Sequence, residues 1–91
     1  MEAVATKDRL GNLVRVGSWV KVLKVPEFLE QAEPETWPDI QSMTGMSLRV
    51  YEIDEHQYAW VQGSGRSANH TISLAPDEME LVLMPKRKAM P

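Results

Sequence analysis

The sequence predicts a small all-β domain folded as a barrel, and two observations carry this prediction. Short runs rich in Val, Ile, Tyr and Trp are separated by Gly, Pro, Asp and Asn, as strands are separated by turns. In the central stretch 45–62, apolar and polar residues alternate, and a period of two belongs to a strand. There Met46, Leu48 and Val50 share one face, while Ser47, Arg49 and Tyr51 share the other.

The chain of 91 residues is one domain with a small core. It has no cysteine, which excludes disulfides, a thiol nucleophile and a zinc–thiolate site and fits a reducing compartment. The first eight residues lack the apolar segment of a secretory signal, and no apolar run approaches the roughly 20 residues of a membrane span. We therefore expect a cytoplasmic protein without a membrane partner. The net charge of −3 disfavours nucleic acid as the main partner.

The domain itself is predicted to span residues 12–84. Residues 1–11 mix charges with small residues and are expected to form a flexible N-terminus, and residues 85–91 a flexible basic tail. Within the domain, the first strand with a clear β-branched pattern covers residues 19–25 and ends at Pro26. Two strands then form a hairpin around the turn 54–57. A further strand covers residues 68–74, and the last covers 79–83, after a single turn at 76–78.

The segment 26–44 between the first two strands is too long for a simple turn. It carries five acidic residues and no basic one, and Pro34 and Pro38 exclude a long helix. It also carries Phe28, Leu29 and Trp37, too much apolar surface for a free linker. We therefore expect an ordered acidic loop folded onto the barrel.

A strand, a long loop, two hairpins, one short turn and a last strand follow one another in the order of an SH3-like barrel. The residues that carry this resemblance are Gly17-Ser18-Trp19-Val20-Lys21-Val22, Pro26, Thr44-Gly45 and the stretch 74–82. The chain resembles the small barrels of accessory chains, such as the ferredoxin–thioredoxin reductase variable chain, the ferredoxin-docking subunit of the photosynthetic dehydrogenase complex and the nitrile hydratase β-subunit barrel. The resemblance implies a five-stranded barrel with one long ordered loop between its first two strands, acting as an accessory subunit and supplying no catalytic residue. Tudor-like and ribosomal barrels fit the same pattern.

No set of residues points to catalysis, a cofactor or a metal. His56 falls in a predicted turn, and His70 shares a strand face with apolar residues, which favours a satisfied core histidine. The spacing of the histidines and of Asp54 and Glu55 gives no metal signature. Gly63-Ser64-Gly65 is better explained as a hairpin tip than as a phosphate-binding loop.

Aromatic residues give the sharper indication of function. With Ala59 and Val61 inward, Tyr58 and Trp60 point outward beside Tyr51. Either the long loop covers these rings with Phe28 or Trp37, which is favoured, or they are free for a partner, and both states can coexist. The predicted partner-binding residues are Trp37, Tyr51, Tyr58, Trp60 and Phe28.

These observations favour a non-catalytic protein-binding module or accessory subunit. The alternative is a nucleic-acid-binding barrel of the Tudor-like or ribosomal type, with Trp60 stacking on bases. Its cations would be Lys21, Lys24, Arg49, Arg66 and the basic tail. An enzyme is the least favoured class, and the pattern does not indicate an oligomeric state.

Overall fold

The computed structural model describes residues 5–65 and 68–82, and this part of the chain is mostly β. It holds seven strands in two antiparallel sheets and two five-residue helices, which confirms the all-β prediction at that level. The elements in chain order are β1 (Ala5–Lys7), β2 (Leu13–Arg15), β3 (Trp19–Val22), α1 (Phe28–Ala32), α2 (Trp37–Gln41), β4 (Ser47–Ile53), β5 (Ala59–Ser64), β6 (Asn69–Leu74), a 3-10 turn (Pro76–Glu78) and β7 (Met79–Leu81).

The main sheet has five strands in the order β6-β5-β4-β3-β7. Strand β3 pairs on one side with β4, where Trp19 lies opposite Arg49, and on the other with the edge strand β7, where Lys21 lies opposite Glu80. The last strand therefore returns to the first strand of the sheet. Within the described residues, no pairing between β6 and β7 closes the sheet into a barrel.

A bulge interrupts β4 at Tyr51. Val50 pairs with Val61 and Glu52 pairs with Trp60, so one extra residue stands on the β4 side. The bulge resets the alternation of the strand. As a result Val50 and Ile53 are both buried although they are three residues apart, and Tyr51 and Glu52 between them are both exposed.

One face of the main sheet, together with β2 and the long loop, builds the core. Alternation predicted Val50 and Ile72 as core residues on different strands, and the structure confirms both. Leu83, which ends the last predicted strand and was expected to point inward, lies outside the described residues. The buried apolar residues are Val14, Val20, Val22, Val25, Ile40, Met43, Val50, Ile53, Ala59, Val61, Ile72, Leu74 and Met79.

The N-terminal segment corrects one expectation. Residues 5–11 are not a frayed start, because β1 pairs with β2 and the following turn is bonded to β7. The Arg9 N–H donates to the Met79 carbonyl at 3.1 Å, and the Leu81 N–H donates to the buried Asp8 carboxylate at 2.7 Å. The domain therefore begins before residue 12. The predicted flexible tail, residues 85–91, lies outside the described residues.

The long acidic loop is ordered as two short helices. The second helix contributes a buried residue to the core, whereas the first packs only the partly buried Leu29 against it. Helix α1 buries none of its residues, whereas α2 buries Ile40 and is followed by the fully buried Met43. Trp37, at the start of α2, is half-buried against the same core. Pro38 sits in the first turn of α2, where its missing N–H costs no helical hydrogen bond.

A candidate docking groove on the outer face of the sheet

An open groove of about 720 Å³ lies on the outer face of the main sheet, opposite the core. It runs across β4 from the turn between β2 and β3 to strands β5 and β6. The alternation that points Val20 and Val22 inward places Trp19 on this outer face, and the exposed side of β4 adds Arg49. We call it the outer groove. It is lined by Val16, Trp19, Leu48, Arg49, Tyr51, Gln62 and Thr71, with Val50 at its floor.

Two aromatic rings flank the outer groove, and neither is covered by the described chain. Trp19 and Tyr51 are each 48% exposed. Val16, in the turn beside them, is 59% exposed. Large apolar side chains left together in water on a small domain mark a surface that another molecule covers.

Arg49 is the single charged residue among those that line the outer groove. Within the described chain, its guanidinium makes no ion pair and no hydrogen bond. The turn at Gly17 passes close to it, since a Cβ placed on Gly17 would lie 3.8 Å from Arg49 Nη2. Gly17 also adopts a φ of +97°, which favours glycine over other residues. The groove therefore presents one positive charge without a partner in the described chain, and two aromatic side chains line the same groove.

Of the five residues predicted to bind a partner, only Tyr51 lines the outer groove. Phe28 is the most exposed large apolar residue of the described chain, at 66%, so it covers no part of the sheet. Trp37 packs on the core instead. The structure does not bring the five side chains onto one surface. Trp19 and Arg49 were missed as groove residues, although the period of β3 already places Trp19 on the polar face with Lys21.

Tyr58 ends the turn that follows β4, and Trp60 lies at the start of β5. The Trp60 indole N–H donates to Asp54 Oδ2 at 2.9 Å, and the Tyr58 and His56 N–H groups donate to Asp54 Oδ1. The hydrogen bond from Tyr58, supported by those from Trp60 and His56, holds the pKa of Asp54 below its ordinary value against the opposing effect of desolvation. Trp60 is thus half-buried and hydrogen-bonded to Asp54, while Tyr58 remains exposed.

His70 is paired with a carboxylate rather than free for chemistry. Its Nε2 lies 2.5 Å from Asp39 Oδ2, and both side chains are largely buried. The same carboxylate oxygen accepts the Ala68 N–H at 3.3 Å. The contact ties α2 to the β5–β6 hairpin. It also agrees with the expectation of a satisfied histidine.

A search of the described residues for groups of three or more His, Asp or Glu side chains that could hold a metal found none. No helix in the described ranges is long and apolar enough to cross a membrane. No protein-family model, curated protein or solved structure matches the chain.

Proposed function

We propose that this chain is a non-catalytic protein-binding module that docks a partner in the outer groove. The observation that carries the proposal is the exposure of Trp19 and Tyr51, which both line an open, largely apolar groove. Trp, Tyr and Arg are the residues that most often dominate the energy of protein interfaces, and the groove holds one of each.

We further propose that the domain is an SH3-like five-stranded barrel that serves as an accessory subunit. The strand order supports the first part, since β3 pairs with both the next strand and the last one, as an SH3-like barrel requires. The position of the long loop between β3 and β4 and the single 3-10 turn before β7 support it as well. The accessory role rests on the resemblance stated above and on the groove.

Nucleic-acid binding is the second candidate, and one observation favours it. Arg49 lines the same groove as Trp19 and Tyr51, so a base could stack on a ring while a phosphate meets the guanidinium. Against it, Trp60 is held by Asp54 instead of being presented for stacking. Arg66 and the basic tail lie outside the described residues.

The test is a comparison of affinity baits in nuclease-treated lysate of the source organism. The wild-type domain, a Trp19→Ala/Tyr51→Ala variant and a Tyr58→Ala control are immobilised, and captured proteins are quantified by mass spectrometry. Tyr58 is a matched control because it is an exposed aromatic that does not line the groove. We expect a specific partner on the wild type and the control that is lost from the groove variant.

Equal capture by all three baits would show that the outer groove binds no partner. A partner captured from untreated lysate but absent from nuclease-treated lysate would favour the nucleic-acid alternative. Circular dichroism of each bait confirms that it is folded before capture.

A further inference from the structure

From the outer groove we infer the ligand class of the proposed binding module. The ligand is a linear peptide in which an acidic residue is next to an aromatic or aliphatic residue. This inference rests on the proposed function and makes it more specific. It follows from the charge of the groove, the identity of its single cation and its apolar walls.

Arg49 gives the outer groove its positive charge. Its guanidinium has no acceptor within the described chain and lies in a groove whose other lining residues are uncharged. A guanidinium presents its donors in a planar fork that matches the two oxygens of a carboxylate. A ligand carboxylate placed between the flanking rings would be partly shielded from water, which strengthens the pairing. The free charge is thus complementary to one anionic group.

One cation suits a single carboxylate better than a phosphate backbone. Nucleic-acid binding relies on several Lys or Arg residues that follow the phosphates, and each adds to the salt dependence of affinity. The groove offers Arg49 as its one cation among the described residues. Glu52, whose side chain is exposed, directly follows the groove residue Tyr51 on β4. The Glu52 carboxylate and the net charge of −3 would repel a polyanion. A peptide with one acidic residue placed on Arg49 would be repelled much less.

The walls of the groove supply the apolar half of the recognition. Val16, Trp19 and Tyr51 are all about half exposed, so a side chain lying between them would remove apolar surface of both partners from water. The volume of about 720 Å³ is within the range of ligand sites and accommodates a few residues of an extended segment. A carboxylate on Arg49 with its neighbouring side chain between the rings would use both features together.

A second copy of the chain is the competing occupant. Phe28 is exposed and has Glu27 before it and Glu30 two positions after it, so α1 carries the same chemistry that the groove is inferred to take. The experiment must therefore separate a foreign peptide from self-association.

The test uses the full chain immobilised against a random-peptide phage library, followed by fluorescence anisotropy with the enriched peptides made synthetically. We expect the enriched peptides to share an Asp or Glu next to an aromatic or aliphatic residue. Arg49→Gln should weaken their binding about tenfold or more, as loss of one partner of a charge pair does. Trp19→Ala should weaken it as well. The control Arg15→Gln, which removes an exposed charge outside the groove lining, should leave binding unchanged.

Replacing the peptide's acidic residue by its amide completes a double-mutant cycle. The amide peptide should bind the wild type as weakly as the acidic peptide binds Arg49→Gln, and combining the two changes should cost little more. That non-additivity would identify Arg49 and the carboxylate as direct partners.

The outcomes separate this inference from the proposed function. One outcome is peptides whose binding requires Trp19 but is unchanged by Arg49→Gln or by loss of the acidic residue. It would contradict the inferred carboxylate and still support the proposed binding module. Enrichment of no peptide, or of peptides indifferent to Trp19→Ala, would overturn the inference, and the bait experiment would decide the function alone. Sedimentation showing a dimer that Arg49→Gln or Phe28→Ser dissociates would assign the groove to a second copy. Arg49-dependent binding of an oligonucleotide, without peptide binding, would likewise replace the inferred ligand class.

Discussion

The carboxylate of Asp8 accepts four hydrogen bonds from the described chain. It is 3% exposed and accepts the N–H groups of Leu10, Asn12 and Leu81 and the Asn12 side-chain amide. Burial by itself raises the pKa of this carboxyl, but the hydrogen bonds from Leu81, Asn12 and Leu10 outweigh it, and the pKa lies below its ordinary value. One side chain therefore holds the turn after β1 and fastens it to β7.

Asp8→Asn should destabilise the domain by about 1–3 kcal/mol, because the amide cannot accept all four hydrogen bonds and buries donors of its own. Urea unfolding at neutral pH, followed by circular dichroism, measures the change. Asp77→Asn, at an exposed position in the 3-10 turn, is the control and should stay within about 0.5 kcal/mol of wild type. Equal stability of the two variants would mean that the Asp8 bonds add nothing to the net free energy.

The same carboxylate gives the stability a pH dependence. A group whose folded-state pKa is depressed stabilises the fold above its unfolded pKa, and this contribution disappears as the pH falls through the folded value. The unfolded pKa of an Asp is about 4. The stability difference between wild type and Asp8→Asn should therefore be full at neutral pH and shrink below about pH 4. Urea midpoints measured across this range test it, and a difference that stays constant would contradict the assignment.

Two adjacent residues on β6 test the register of the sheet. Ile72 is buried and Thr71 is exposed, so Ile72→Asp should prevent folding while Thr71→Asp is tolerated. An unpaired buried carboxylate costs several kcal/mol, which a marginally stable domain of this size cannot absorb. Thermal unfolding by circular dichroism distinguishes the two variants. A cooperative transition of Ile72→Asp near that of wild type would show that Ile72 does not point into the core.

At the scale of elements, the long loop divides into two halves with different roles. Because Ile40 and Met43 are part of the core, α2 is a structural element, whereas α1 contributes no buried residue. Trp37 and Ile40 anchor the second half of the loop on the core. Trp19 and Tyr51 are exposed without any movement of the loop.

Ile40→Ala should cost about 2–5 kcal/mol, as expected for a fully buried side chain, and Phe28→Ala should cost less than about 0.5 kcal/mol. Hydrogen exchange gives a second measurement. Amides of α1 should exchange much faster than those of Val50 and Val61 in the central strands, while the amide of Met43 should be protected with the strands. Equal exchange across both helices would mean that α2 opens separately from the core.

The part of the fold that could be predicted from the sequence is the part controlled by strand alternation. The inward residues Val20, Val22, Ile72 and Leu74 follow from a period of two. The pairing of β1 with β2 could not be predicted, because strands of three residues carry too short a pattern. The hydrogen bond from the Leu81 N–H to Asp8 joins positions 73 residues apart, and local sequence contains no trace of it.

The candidate site was predictable to a similar extent. Tyr51 was expected at the surface, but the bulge that exposes it together with Glu52 depends on how β4 meets β5. Trp19 lies on the outer face by alternation alone. That Trp19 stands opposite Arg49 is decided by the register between β3 and β4, which no local pattern specifies.

For the whole molecule, the close approach of α2 to the β5–β6 hairpin joins the loop to the sheet. A Cβ on Gly65 would meet the Asp39 carboxylate and lie 2.8 Å from the Asp39 backbone oxygen, which cannot swing away as a side chain does. Only glycine fits there without moving α2. The His70–Asp39 pair lies at the same contact.

Gly65→Ala should therefore destabilise the domain by about 1–3 kcal/mol, as overpacking does. Gln62→Ala on the exposed side of β5 is the control and should be nearly neutral. Chemical denaturation measures both, and wild-type stability of Gly65→Ala would show that α2 shifts at no cost.

The three tryptophans occupy three separate surroundings, and this gives the domain its own optical reporters. Trp19 stands in the open groove, Trp37 against the core, and Trp60 bonded to the Asp54 turn. Variants that keep one indole and carry Phe at the other two positions would separate the emission from each surrounding. The indole at position 19 would emit at the longest wavelength and be quenched by dissolved iodide, whereas the one at position 37 would be shielded. A molecule settling in the groove would then be detected by the first indole alone, without any attached dye.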